Sequence, residues 1–447
     1  SRGASVSVVT LPEDAVLEGK VGLDDFLVAR GKEAFEQLMT QAEPFTFSKE
    51  LWALNGEVTY VRNPGLIVVL ADGRKVSPAA FKEHAYANRH YWVVKFTAQG
   101  DEKLVKTPLA PAWLQWECRA ELAELTYAPG EPRVTVAGAL NTWPGWACEP
   151  RRGDLAPWRE LLDFLFSLAE PAARQWFERW CAYPIQHPGA KLYTAAVLWG
   201  ATHGTGKSLV GYTLMRIYGR NASEITDEDL SMGFNEWAEA KQFVMGDDVA
   251  GQERRKKELA ERLKSMVTRQ QLRVNAKFLP TYVLPDCINY YFTSNHPDAF
   301  FLEDTDRRYF VAEVPREPRE LAFYKRYDAW LNGPGPAALF HHLRHLDLGD
   351  FDPKAPAFVT AAKVAMALDS KSDVGAWVAK LREVPDALLR FGDQALRADL
   401  YTNEQLLRLY DPGEQRRVTA NGLGRELKRA GFAQANQGKL VMTKKGP

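Results

Sequence analysis

The residues most able to do chemistry begin at "GATHGTGKSL", residues 200–209, which sits between two apolar runs. A small residue, four others and then Gly-Lys-Ser is the spacing of a loop that wraps a triphosphate in backbone N–H groups. Wrapping demands residues free to take unusual φ and ψ, and Gly204 and Gly206 supply that freedom. Lys207 would reach the outer phosphates, and Ser208 would ligate Mg²⁺. The helix that starts there adds its positive end. The nucleotide-binding candidates are therefore Ala201, Thr202, His203, Gly204, Thr205, Gly206, Lys207, Ser208 and Leu209, with ATP and Mg²⁺ as cofactors. One departure is visible. Where the pattern has its first glycine this chain has Ala201, and the glycine stands one earlier, at Gly200. Alanine is tolerable there if its φ is negative. His203 reads as a loop residue.

Two acids follow 40 residues after Lys207. "KQFVMGDDVAG" (241–251) is an apolar run ending in Asp247 and Asp248, the place for a Walker B strand. Asp247 suits the metal, and Asp248 suits the polarisation of an attacking water. "CINYYFTSNHPDAF" (287–300) is another buried strand, ending in Ser294 and Asn295. An Asn at such a tip can orient the hydrolytic water through its amide. Arg307 and Arg308 follow in "DTDRRYFV". An arginine offered to a neighbouring subunit's γ-phosphate would stabilise transition-state charge. The alternative is a surface ion pair with Asp304 or Asp306, and the sequence does not choose between the two arginines. Between the strands, "QLRVNAKFLPTYVL" reads as a hairpin with Lys277 and Phe278 near its tip. A basic residue beside an aromatic can grip a phosphate and stack on a base.

These groups need a scaffold. The 447-residue chain suits two to four domains. Residues 191–345 alternate apolar runs with helical spacing, which implies a parallel α/β sheet. Residues 156–190 have apolar residues at i, i+3 and i+4, a helical collar. Residues 46–155 are rich in Trp, Tyr and Val with turn signals, a β-rich domain. There "LIVVLADGRKV" reads as a hairpin turning at Asp72-Gly73, and the tryptophans read mainly as core. Residues 1–45 hold an extended piece and a helical stretch around Phe35, Leu38 and Met39. Residues 346–380 read as linker helices. Residues 381–447 are mostly helical and end in a short β-pair.

Composition excludes little. Lys plus Arg equals Asp plus Glu at 57 each, so any DNA-binding charge must gather on one surface. Four cysteines without metal-ligand spacing read as reduced thiols. No apolar run has the ~18 residues of a membrane span, so the expected location is the cytoplasm of a bacterial host.

Loop, acids, Asn295 and arginines, in this order and with only 88 residues from Lys207 to Asn295, resemble the superfamily 3 helicases of viruses and phages. That resemblance implies an AAA+ fold, a hexameric ring and a DNA-gripping hairpin lysine. Lys277 lies 18 residues before Asn295, as that pattern asks. Phe278 stands where the family often has His, and Lys264 resembles a further lysine of the family. A closer resemblance covers roughly residues 45–340: the phage and prophage primase-helicases of the DUF5906 type, through "NTWPGWACEPRRGD" and "TSNHPDAFFLEDTDRRYFV". Residues 8–44 look like the tail of a Toprim-like primase module. No priming acids are evident, and Asp24-Asp25 read as a surface turn or cap. The tail "TANGLGRELKRAGFAQANQGKLVMT" resembles a winged helix, capped by Thr419 and made basic by Arg416, Arg417, Arg425, Lys428 and Arg429. A helical packing module with a solvated basic face is its alternative.

The expectation is an ATP-driven ring helicase or translocase of phage or mobile-element replication. It would act on single-stranded or forked DNA as a homo-oligomer, with an upstream primase module. The alternative is an AAA+ initiator or loader that uses ATP for assembly without unwinding.

Overall fold

The computed structural model describes residues 7–9, 11, 23–40, 43–44, 49–96, 102–248, 256–296, 300, 302, 306–369, 373–391, 394–395, 400–413 and 418–435. The chain divides into two compact units, Ser1–Leu122 and Ala123–Pro447. The boundary falls inside the stretch 46–155 that the sequence groups together. The reason is packing: Trp146 lies against Tyr218 and Phe340, and Tyr127 Oη donates to Asn221 Oδ1, all in the second unit.

In the first unit, helix α1 (Leu23–Thr40) takes in the expected helical stretch. Most of the other residues before Lys49 lie outside the described residues. Helix α2 (Lys49–Asn55) is followed by β1 (Val58–Asn63), β2 (Leu66–Val69) and β3 (Lys75–Val76), an antiparallel meander. Its second turn carries Asp72 and Gly73 (φ 74°), as the sequence indicates. A long hairpin follows, β4 (His90–Phe96) on β5 (Glu102–Pro108), and then α3 (Leu109–Gln115). Leu54, Val58, Ile67, Phe81 and Trp113 close this unit's core.

The second unit begins its helices with α4 (Ala156–Leu165) and α5 (Pro171–Gln186). Next come β6 (Ala195–Trp199), α6 (Lys207–Tyr218), β7 (Ala222–Ile225) and β8 (Phe243–Gly246). Helix α7 (Lys256–Thr268) leads into the hairpin β9 (Gln271–Val274) and β10 (Tyr282–Pro285). Strands β11 (Asn289–Ser294) and β12 (Tyr309–Glu313) complete a five-stranded sheet, with spatial order β7-β8-β11-β6-β12. Every pairing in it is parallel. Its strands read as near-continuous apolar runs because helices cover both faces. Trp158, Phe177, Trp180, Ile217, Tyr291 and Phe310 belong to the surrounding core.

Helices α8 (Leu321–Leu331), α9 (Gly335–His345) and α10 (Ala361–Asp369) follow. The last helices, α11 (Asp373–Glu383), α12 (Asn403–Tyr410) and α13 (Ala420–Arg429), share a small core of Val378, Leu406, Leu423 and Leu427. Thr419 caps α13, its Oγ1 accepting from Gly422 N at 3.1 Å. Arg416, Arg417 and most of the expected wing lie outside the described residues. No helix among the described residues is long and apolar enough to cross a membrane.

Candidate nucleotide-binding site

The loop between β6 and α6 is built as its glycines demand. Gly204 (φ 76°) and Gly206 (φ 99°) both take left-handed backbone. Ala201 is not among the described residues with positive φ, so alanine meets no strain there. Gly200 serves packing instead: a Cβ on it would come within 2.4 Å of Val314 Cγ2. The displaced glycine therefore answers to Val314, the residue that follows strand β12, and not to the phosphate pattern.

Lys207 opens α6 and is only 6% exposed. Its Nζ donates to Gly200 O (3.1 Å), Thr202 O (3.0 Å) and Asn295 Oδ1 (3.0 Å). Burial lowers its pKa from 10.5, opposed by the charges of Asp248 and Asp247. A buried ammonium whose hydrogen bonds all go to neutral oxygens is a cation placed to gain from an arriving anion.

Sheet register brings in the acids. Gly246 is level with Phe292 of β11, so Asp247 falls beside Thr293. Asp247 Oδ1 accepts from Ser208 Oγ at 2.7 Å and from Thr293 Oγ1. A hydroxyl and a carboxylate converging on one point are hard oxygen donors of the kind Mg²⁺ takes. Asp248 has φ 51°, an uncommon conformation for a residue with a Cβ. Its N–H donates to Thr293 Oγ1 at 3.1 Å, and its Oδ1 accepts from Asn295 Nδ2 at 2.9 Å. The turn thus aims the two carboxylates differently, Asp247 toward Ser208 and Asp248 toward Asn295. His203 Nδ1 lies 3.2 Å from Asn295 Nδ2.

These groups line one cleft of about 540 Å³. Its lining runs from His203 to Leu209 and includes Asp247, Asp248, Thr293 and Asn295. Tyr212, Tyr324 and Asp328 line it too. Sequence reasoning missed these three and Thr293. For Thr293 a signal existed, a hydroxyl inside an otherwise apolar strand. For Tyr324 and Asp328, on α8 over a hundred residues downstream, there was none.

The structure does not bring every candidate into the cleft. Arg307 and Arg308 lie just before β12, whose Tyr309 is level with Ala195 at the start of β6. The loop leaves the other end of β6, roughly 13 Å away at ~3.3 Å per residue. Arg308 is folded onto its own chain: its N–H donates to Asp306 Oδ1 at 2.8 Å, and its guanidinium lies 3.5 Å from Oδ2. Asp306 is 6% exposed. Of the two ion pairs the sequence offers, the one with Asp306 forms, and it takes Arg308. Asp304 lies outside the described residues. Arg307 is exposed and makes no ion pair among the described residues.

Lys277 and Phe278 sit at the tip between β9 and β10, apart from the cleft lining. Phe278 is 85% exposed with φ 66°, and Lys277 Nζ lies 4.9 Å from its ring centroid. Glu236 accepts from Lys277 N at 2.6 Å, and Asn235 accepts from Asn275 N at 2.8 Å. The tip is therefore braced by the segment leading into β8. Lys264 is buried on α7, paired with Glu261 at 3.0 Å.

Residues 198–308 match the model of a family described as a family of unknown function, DUF5906. The DNA primase-polymerase of Nitratiruptor phage NrS-1 is 30% identical over 150 residues, 33% of this chain and 21% of that protein. The matched stretch thus spans about a fifth of the relative's length. The solved apo structure of the NrS-1 C-terminal region (305–718) superimposes with a TM-score of 0.61 at 18% identity, covering 81% of this chain and 86% of that one. A second structure of that region, the A form apo, gives 0.59 at 17% identity. In fold, the chain is similar to the C-terminal region of a phage primase-polymerase.

Proposed function

We propose that this chain is the motor of a ring-shaped, ATP-dependent DNA helicase of the AAA+ type, acting in phage or mobile-element replication. The observation that carries the reading is the convergence of Lys207, Ser208, Asp247, Asp248 and Asn295 on one cleft at the ends of three adjacent parallel strands. The order β7-β8-β11-β6-β12 puts β11, which Asn295 directly follows, between the loop strand and the acid strand. Asn295 can therefore touch both Lys207 and Asp248.

The geometry supports the following roles. Backbone N–H groups of 201–209 cradle the phosphates, and Lys207 exchanges its carbonyl partners for phosphate oxygens. Ser208 and Asp247 hold Mg²⁺, which when bound neutralises charge on those oxygens. Asp248 accepts the proton of the attacking water, and Asn295 fixes that water's position. Arg307 completes the pocket of the next subunit, while Asp306 keeps Arg308 at home. Lys277 and Phe278 project into the ring's channel and grip one DNA strand. The basic side of α13 adds a further contact. The phage relative, a primase-polymerase by name with this fold at its C-terminal region, supports an upstream priming module in the full replication protein.

The test is strand displacement on a forked DNA with ATP and Mg²⁺, beside sizing of the particle with single-stranded DNA and a non-hydrolysable ATP analogue. Displacement by an oligomer supports the helicase. Hydrolysis and assembly without displacement would make the chain a loader. A particle that stays monomeric and inert would end both.

A further inference from the structure

The hairpin β4–β5 of the first unit is unlike a structural hairpin on two counts. Tyr91 turns inward and packs against the unit's core. Strand alternation then places Trp92 on the opposite face, where it is 64% exposed. Its cross-strand partner is Lys106, and Leu104, also 64% exposed, lies diagonally beside it. A large apolar ring left in water is costly unless something covers it.

The second count is charge. Lys95 and Lys103 are directly opposed across the hairpin. Like charges in that position destabilise a sheet. Both are exposed, as is Lys106, and none of the three makes an ion pair among the described residues. The two strands carry one acid, Glu102, against these lysines and His90. Net positive charge on both faces of the ribbon, Lys106 beside the exposed indole and Lys95 and Lys103 on the face of Tyr91, complements a polyanion whose rings can stack.

We propose that this hairpin is a second single-stranded nucleic-acid site, separate from the motor: Trp92 stacks on an unpaired base with Lys106 on its own face at the neighbouring phosphate, while Lys95 and Lys103, on the other face, hold phosphates where the strand passes around the ribbon. Duplex ends bind more weakly, because their bases are already stacked. The site needs neither the nucleotide cleft nor Lys277, so it stands or falls apart from the motor reading.

The experiment is fluorescence anisotropy of the full chain with a labelled 30-nucleotide oligothymidine and a duplex of equal length. It is run without nucleotide, in wild type and in a Lys277→Ala background. Trp92→Ala is expected to weaken single-strand binding about five-fold or more in both backgrounds. The double variant Lys95→Gln/Lys103→Gln should reduce the slope of log affinity against log salt by about 1.4. Basal ATP turnover and melting temperature should stay as in wild type, since these side chains are exposed. Unchanged affinity and slope would overturn the proposal. So would a change in particle size with strand affinity intact, which would make the hairpin a protein contact.

Discussion

Asn295 donates from Nδ2 to Asp248 Oδ1 at 2.9 Å, although 47 residues separate them. The same side chain accepts from Lys207 Nζ at 3.0 Å. One amide therefore touches both the buried ammonium and the Asp248 carboxylate. In the proposed cycle, withdrawal of Lys207 toward a γ-phosphate frees Asn295 Oδ1, so that the water site is assembled only when the triphosphate is present.

Lys207→Ala should abolish ATP turnover, with a fall of at least about 100-fold in phosphate release, because it removes charge from the developing transition state. Its melting temperature should change little, since losing a buried ammonium removes its desolvation cost together with its attraction to Asp248 and Asp247. Surviving turnover would refute the phosphate-loop reading.

The two acids should fail in different ways. Asp248→Asn should lower kcat by about 100-fold or more with little change in KM, as expected of a lost general base. Asp247→Asn should instead raise the Mg²⁺ concentration needed for half-maximal rate by about 10-fold. Thr293→Val should give a milder version of both, because its hydroxyl touches Asp247 Oδ1 and the Asp248 N–H. A magnesium titration of each variant's steady-state rate checks this.

Arg307→Ala should reduce kcat by about 1,000-fold with unchanged stability. Mixed with Lys207→Ala, itself inactive, it should recover part of the rate, since each variant supplies the half-site the other lacks. Arg308→Ala should chiefly destabilise, by about 2 kcal/mol, because it strips a partner from the buried Asp306 carboxylate. Denaturant melts and mixed-particle assays separate the two arginines.

Lys277→Ala should keep basal ATPase but lose stimulation by single-stranded DNA and strand displacement. The tip itself should stay in place, because Glu236 holds the backbone N–H of residue 277 and not its side chain. Unchanged unwinding would remove the hairpin from the mechanism.

A pH effect follows from Lys191. Burial lowers its pKa from 10.5 to about 8 despite its ion pair with Asp286 at 2.8 Å. Below about 8 the folded chain carries a buried charge that costs stability. Between about 8 and 10 unfolded Lys191 binds more protons than folded Lys191, so this residue's own contribution to stability rises with pH, by about 2 kcal/mol. The buried thiols of Cys181 and Cys287 and the buried tyrosines Tyr218 and Tyr290, whose pKa values burial raises, pull the other way above about 9 and 10 respectively. Urea melts of wild type and Lys191→Met at pH 7 to 10 check this: wild-type stability relative to the variant should rise by about 2 kcal/mol across the range, and a constant difference would refute it.

Much of this site is legible in the chain because phosphate binding asks for particular residue types at short spacing. Gly204, Gly206, Lys207 and Ser208 lie within five positions, and Asp247-Asp248 close a strand whose apolar run is plain. What escapes is whatever depends on register or distant packing. Thr293 matters only because β11 lies between β6 and β8. Arg308 is set apart from Arg307 by one buried aspartate and not by any pattern. The break at 122–123 arises because Trp146 packs on residues 72 and 194 positions downstream, Tyr218 and Phe340, which local composition cannot reveal.

Arg307 emerges at one end of the parallel sheet and the phosphate loop at the other. A chain alone in dilute solution would therefore lack its own guanidinium and stay silent even when saturated with nucleotide. Turnover per chain should then climb steeply with protein concentration and level off once neighbours are always present. Fuel would be consumed only where copies have gathered, which in the proposed ring would confine hydrolysis to a strand already encircled.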